Sequence, residues 1–155
     1  MAVREGDRAP GFALPASPGE TVDVGELFGH QKVVLLFFPL AFSPVCTKEM
    51  CAVRDAWDRW REVDARVFGI SVDSPFVTRR FREDEDLPFP ILSDFNKEVS
   101  RLYGVLHEDL LGLKGVSKRS AFVVDRDGTV RFAWVANDPG VEPDYEAVRA
   151  AATGA

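Results

Sequence analysis

Apolar positions along the chain follow two periods. Val33 to Phe38 is a continuous apolar run closed by Pro39, and Arg66 to Val72 is a second run rich in β-branched and apolar residues. Unbroken runs of this length predict strands buried on both faces. Between them, Cys46, Met50, Val53, Trp57 and Trp60 recur at spacings of 4, 3, 4 and 3, which at about 100° per residue places them along one stripe of a helix. Ala121 to Val124 predicts another strand, Asp127-Gly128 a hairpin-type turn and Val130 to Val135 an antiparallel return. Further helices are expected at Pro75 to Glu85, Lys97 to Tyr103 and Pro143 to Ala151. Asn96 cues the second of these, and Pro143 sits in the first turn of the third. The opening, through Pro15 to Gly19, reads as loop.

Strands separated by helices, then a hairpin and a closing helix, predict an α/β layer structure whose sheet is partly parallel and partly antiparallel. The chain has 155 residues and no internal repeat, low-complexity tract or Pro/Gly/Ser-rich linker, so one domain over 1–155 is expected. Apolar residues at 46% and charged residues at 28% exclude a mainly disordered chain. The net charge of 19 − 25 = −6 argues against nucleic acid and anionic membrane surfaces as partners. The longest apolar run is about half the ~20 residues that a membrane-crossing helix needs. Arg4, Glu5, Asp7 and Arg8 stand where a secretory signal requires an apolar segment, so a cytoplasmic location is expected. There the two cysteines are thiols, and any disulfide is transient and catalytic.

Their placement then becomes the main question. Ser43-Pro44-Val45-Cys46 reads as a helix start, with Ser43 as N-cap and Pro44 in the first helical position. Cys46 falls in the first turn, and two readings are open for it. It is either a small buried hydrophobe, or a nucleophile whose thiolate is favoured by the unpaired amides and positive dipole end of the helix. Cys51 lies about 140° around the helix from Cys46, among Lys48, Asp55, Asp58 and Glu62 on the charged face, an odd place for a structural cysteine. Four intervening residues do not make the Cys-x-x-Cys knuckle of a zinc site or of a dithiol reductase. Only His30 and His107 remain as further soft ligands. No metal site is expected, and a nucleophile with a resolving partner fits the spacing best. Residues five apart in an ideal helix have Cα atoms roughly 8.6 Å apart, whereas a disulfide needs less than about 7 Å. Joining Cys46 to Cys51 therefore requires the first turns to unwind.

The stretch Phe38-Pro39-Leu40-Ala41-Phe42-Ser43-Pro44-Val45-Cys46 resembles the active-site loop of the peroxiredoxins, with Pro39, Ser43 and Cys46 at the spacing of that family's Pro, Thr or Ser, and reactive Cys. The following Thr47 to Asp55 is similar to the peroxiredoxin Q, or bacterioferritin comigratory protein, subgroup, in which a resolving cysteine often follows five residues after the first, as Cys51 does. The resemblance extends from Gly6 to Phe12 through Ile70 to Asp73, Leu92 to Asp94 and Tyr103 to Val105 to Arg119–Asp125. It implies a thioredoxin-like fold, which also suits the strand and helix pattern.

The resemblance further implies a thiol-dependent peroxidase that reduces hydrogen peroxide and organic hydroperoxides to water and alcohols without metal, haem or flavin. Cys46 is implied as the peroxidatic residue and Cys51 as the resolving one, with a thioredoxin-type donor reducing their disulfide. Ser43 and Arg119 would hold the peroxide, Pro39 would shield the site, and Glu49 would orient Arg119 or else be a plain first-turn acid favoured by the helix dipole.

Ser43 departs from the commoner Thr by losing a methyl that restricts the rotamer. Phe37 to Phe42 also resembles the alkyl hydroperoxidase E-like subgroup, whose members can work with one cysteine and external thiols. That alternative stays open, as does a non-enzymatic redox sensor using the same pair. His107 is expected to be solvated, without a role. Trp57 and Trp60 are expected to pack, and Trp134 to be core or interface. Monomer and homodimer are both open, with Phe42, Leu110 and Leu111 as a candidate apolar patch.

Overall fold

The computed structural model describes residues 2–155. Its centre is the apolar run β3 (Lys32–Phe37), buried throughout. This strand lies parallel to β4 (Ala65–Ser71) on one side and antiparallel to β6 (Ser120–Val124) on the other. β5 (Ile91–Ser93) extends the sheet beyond β4 in parallel, and β7 (Val130–Val135) extends it beyond β6 in antiparallel, giving the order β5-β4-β3-β6-β7. The expected mixed sheet is therefore present.

Alternation along β3 sends Val34 and Leu36 into one core and Val33, Leu35 and Phe37 into another. Burial on both faces explains why this strand is an unbroken apolar run. On the first face lie α1 (Pro44–Asp55), α2 (Trp57–Glu62) and α5 (Tyr145–Thr153), contributing Met50, Val53, Trp60, Val148 and Ala152. The second face is covered by α4 (Glu98–Leu102) with Val99, Tyr103 and the N-terminal segment. Gly69 of β4 allows α1 to approach closely, since a Cβ there would meet Ile91 Cδ1 at 2.6 Å and Met50 Sδ at 3.3 Å.

Local chemistry departs from the sequence expectations at four places. The opening is not all loop, because β1 (Ala13–Ser17) and β2 (Glu20–Asp23) form a two-stranded antiparallel hairpin. Pro15 obscures it in the sequence, but the pair forms a separate two-stranded sheet in which a missing N–H is tolerated. The single helix expected across Cys46 to Trp60 breaks at Ala56 (φ −102°, ψ 19°), leaving Trp57 half-buried against Phe89 with ring centroids 5.6 Å apart.

Asp94 rather than Asn96 serves the start of α4, accepting from the backbone N–H groups of Val99 and Ser100 at 3.1 and 2.7 Å. Pro143 precedes the last helix instead of entering its first turn, and Asp144 caps it by accepting from Ala147 N–H. The helix α3 (Pro75–Asp84) starts where expected, with the Ser74 side chain accepting from Val77 N–H. The Asp127-Gly128 turn joins β6 to β7, with Gly128 at φ +85°. Trp134 is half-buried against the first core. Among the described residues, no helix is long and apolar enough to cross a membrane.

Candidate active site

Where β3 ends, Phe38 still donates its N–H to Ile70 O, and Pro39 is buried. The chain then turns past the C-terminal end of β4. Ala41 N–H donates to Asp73 Oδ2 at 2.7 Å, and Ser71 Oγ donates to the same oxygen at 2.7 Å. Phe42 takes a left-handed backbone (φ +68°) to redirect the chain into α1, a costly conformation for an aromatic residue. Its ring is half exposed and packs edge-on against Phe81 at 5.2 Å. Ser43 occupies the N-cap position with extended dihedrals, and Pro44 opens the helix. The Ser43 hydroxyl makes no cap bond, however. It donates to Leu40 O at 2.7 Å, which fixes the loop and leaves its lone pairs free to accept.

Cys46 follows in the first turn, 1% exposed and a free thiol. Arg119 comes from the residue before β6, which runs beside β3, and is itself 2% exposed. Its Nη2 donates to Cys46 Sγ at 3.2 Å, and its Nη1 donates to Glu49 Oε1 at 2.7 Å. Nε and Nη2 both donate to Pro139 O, at 3.1 and 2.9 Å. The guanidinium is thus braced from α1 and from the loop after β7, with Nη2 at the sulfur. Arg119 is not a solvated strand-end charge.

Glu49 is not an exposed first-turn acid either. It is fully buried, and its Oε2 has no partner among the described residues. Burial, outweighing the attraction of Arg119, raises its pKa to about 7. Lys48 reaches the same loop through an ion pair with Glu142 at 3.3 Å, and Glu142 also accepts from the Tyr145 hydroxyl.

A cavity of about 260 Å³ opens onto this group, lined by Pro39, Ser43, Cys46 and Arg119 together with apolar side chains that include Leu110 and Leu113. Leu111, at the same opening, is 96% exposed. The structure therefore gathers Pro39, Ser43, Cys46, Glu49 and Arg119 at one place. The Pro139 carbonyl belongs with them, and as a backbone oxygen it carries no residue-type signal in the sequence.

Cys51 stands apart from this cavity. It lies on the same unbroken helix, half-buried, and its Sγ donates to Glu85 Oε2 at 3.3 Å. Burial first, and then the Glu85 hydrogen bond, push its thiol pKa up. His107 is half-buried rather than solvated, and burial together with Lys118 lowers its pKa. Among the described residues, no group of three or more His, Cys, Asp or Glu side chains is arranged to hold a metal ion.

A carboxylate-braced guanidinium facing a helix-start sulfur can stabilise charge on the sulfur and on an oxygen leaving from it. Comparison with known proteins points the same way. Residues 5–133 match the AhpC/TSA family. Peroxiredoxin Bcp of Escherichia coli K12 is 37% identical over 134 residues, covering 85% of this chain and 85% of that protein. The crystal structure of peroxidoxin BcpB from Mycobacterium tuberculosis superposes with a TM-score of 0.85 and 32% identity, over 97% of this chain and 96% of that one. Peroxiredoxin Q of Xanthomonas campestris gives a TM-score of 0.79 and 26% identity, over 92% and 90% of the two chains.

Proposed function

The chain belongs to the AhpC/TSA family, the peroxiredoxins, and is a thiol-dependent peroxidase; on that premise we propose that Cys46 is the residue that attacks peroxide and Cys51 the one that resolves it. The observation carrying this reading is the Arg119 guanidinium, 3.2 Å from a buried first-turn sulfur in a cavity open to small substrates. Hydrogen peroxide or an organic hydroperoxide enters the cavity, and the Cys46 thiolate attacks its outer oxygen. The O–O bond breaks, the sulfur is oxidised to a sulfenic acid, and the other oxygen leaves with a proton as water or alcohol.

Arg119 lies where it stabilises charge passing from sulfur to the leaving oxygen. Glu49 and the Pro139 carbonyl hold that guanidinium in place. Ser43 Oγ, already donating to Leu40 O, is free to accept the peroxide O–H. Buried Pro39, which has no N–H, shields the sulfur.

Resolution follows by attack of the Cys51 sulfur on the sulfenic sulfur, forming an S–S bond and releasing water. Helix α1 is continuous across both residues, so the ideal Cα separation of roughly 8.6 Å must shrink below about 7 Å. The intervening turns unwind in the oxidised state and re-form on reduction. A thioredoxin-type dithiol supplies the two electrons, in a reducing cytoplasm, and residues 1–155 act as one catalytic domain. Cys46→Ser is expected to abolish peroxide consumption, and wild-type turnover by that variant would overturn the assignment. Cys51→Ser is expected to retain sulfenic acid formation but lose thioredoxin-supported recycling. Unchanged steady-state turnover with thioredoxin would point instead to a one-cysteine cycle with external thiols.

A further inference from the structure

Outside the cavity around Cys46, the nucleophilic group with the most defined surroundings is Cys51, and its partner comes from a different element. Glu85 follows the last residue of α3. Its Oε2 accepts from Cys51 Sγ at 3.3 Å, while its backbone oxygen accepts from Arg54 Nη1 at 2.6 Å. Arg54 also lies 3.8 Å from Glu85 Oε2. Two α1 residues three apart, Cys51 and Arg54, thus grip one α3-terminal residue by both side chain and backbone. The charged groups acting on Cys51 are Glu85 from α3 and Arg54 and Asp55 from α1.

We propose that Glu85 is a positioning residue for resolution: it holds Cys51 against the end of α3 in the thiol form while α1 is intact, and so delays its release toward oxidised Cys46. The inference rests on Cys51 being the resolving cysteine. A thiol donating to a carboxylate is in its weakly nucleophilic form, and the upward displacement of its pKa by burial and by Glu85 agrees with that. The contact belongs to the reduced helix alone. Cys51 has to move for the disulfide to close, and in moving it leaves Glu85. The proton of Cys51 then passes to water or buffer, the S–S bond forms as the Cys46 S–O bond breaks, and the departing oxygen leaves as water. The longer Cys51 is held, the longer the sulfenic acid is open to a second peroxide. That molecule would transfer its oxygen to Cys46, give sulfinic acid and leave as water or alcohol.

Two measurements test the proposal. In the Cys46→Ser background, iodoacetamide alkylation of Cys51 is followed against pH, and Glu85→Gln is expected to move the profile to lower pH, a displacement that a merely structural role would not produce. With Cys46 present, disulfide formation after one equivalent of hydrogen peroxide is followed by acid quench and mass spectrometry. Glu85→Gln is expected to raise its rate roughly three- to tenfold, the range of one ordinary intramolecular hydrogen bond. The sulfinic fraction at excess peroxide should fall accordingly. Glu85→Asp, which keeps the carboxylate, should return both readouts toward the parent. An alkylation profile or a closure rate unmoved by Glu85→Gln overturns the inference alone. A parent protein that forms no Cys46–Cys51 bond overturns the resolving role, and the inference with it.

Discussion

The first turn and the middle of the first long helix carry the same side chain in opposite surroundings. Cys46, in the first turn, is buried and receives a hydrogen bond from the Arg119 guanidinium at 3.2 Å. Cys51, five residues on, is half-buried and gives a hydrogen bond to the Glu85 carboxylate at 3.3 Å. A cation faces one sulfur and an anion the other. Neither contact comes from the helix itself, since the approach to β6 supplies Arg119 and the end of α3 supplies Glu85. On the proposed assignment the division of labour comes from tertiary structure, with one thiol set to attack and the other held back until the helix opens.

The largest change short of removing Cys46 should follow from taking the cation away from its sulfur. Arg119→Met is expected to lower kcat/KM for hydrogen peroxide by about 10²–10³-fold, the cost of losing a preorganised charge at the reacting atoms. Stopped-flow kinetics would measure it, and a loss below about threefold would contradict the role given to the cation beside Cys46.

Glu49→Gln should act less strongly, by about tenfold, because it weakens the charge-assisted bond that steadies Arg119 without removing the guanidinium. Its pH signature is more informative than its size. Burial raises the Glu49 pKa from 4.5 to about 7 in the folded chain. Below pH 4.5 the carboxyl is protonated folded or unfolded, and its stabilising contribution is fully present. Between 4.5 and 7 the folded chain keeps a proton that the unfolded chain has released, so that contribution falls as pH rises and is lost above about 7. Urea unfolding at pH 5 and pH 8 should show a smaller pH-dependent loss in Glu49→Gln than in the parent, and equal losses would contradict the assignment. Ser43→Ala should have the smallest effect, roughly two- to fivefold in kcat/KM, as expected for one neutral hydrogen bond to the substrate.

The placement of Cys46 was largely legible in the sequence. Hydrophobic periodicity gave the β3 run and the Cys46 stripe, and Ser43-Pro44 marked the helix start within a residue. The hidden parts share a physical cause. The Ser43 hydroxyl was expected to cap the helix and instead bonds Leu40 O, a choice between two local acceptors that composition does not decide. Glu49 reads equally as a plain first-turn acid or as the residue that orients Arg119, and its burial depends on that partner 70 residues away. The Pro139 carbonyl and the Glu85 carboxylate bring their atoms from distant loops and helix ends, where spacing along the chain says nothing. The β1–β2 hairpin was missed because Pro15 and Gly19 signal turn, whereas only Gly19 lies in one.

The most direct measurement is hydrogen exchange across residues 44–55 of the wild-type protein, read by mass spectrometry before and after one equivalent of hydrogen peroxide. The amides between Cys46 and Cys51 are expected to be protected in the reduced protein and to lose protection as the disulfide forms, regaining it when thioredoxin reduces the bond. Formation of the Cys46–Cys51 bond with protection in those turns unchanged would contradict the account.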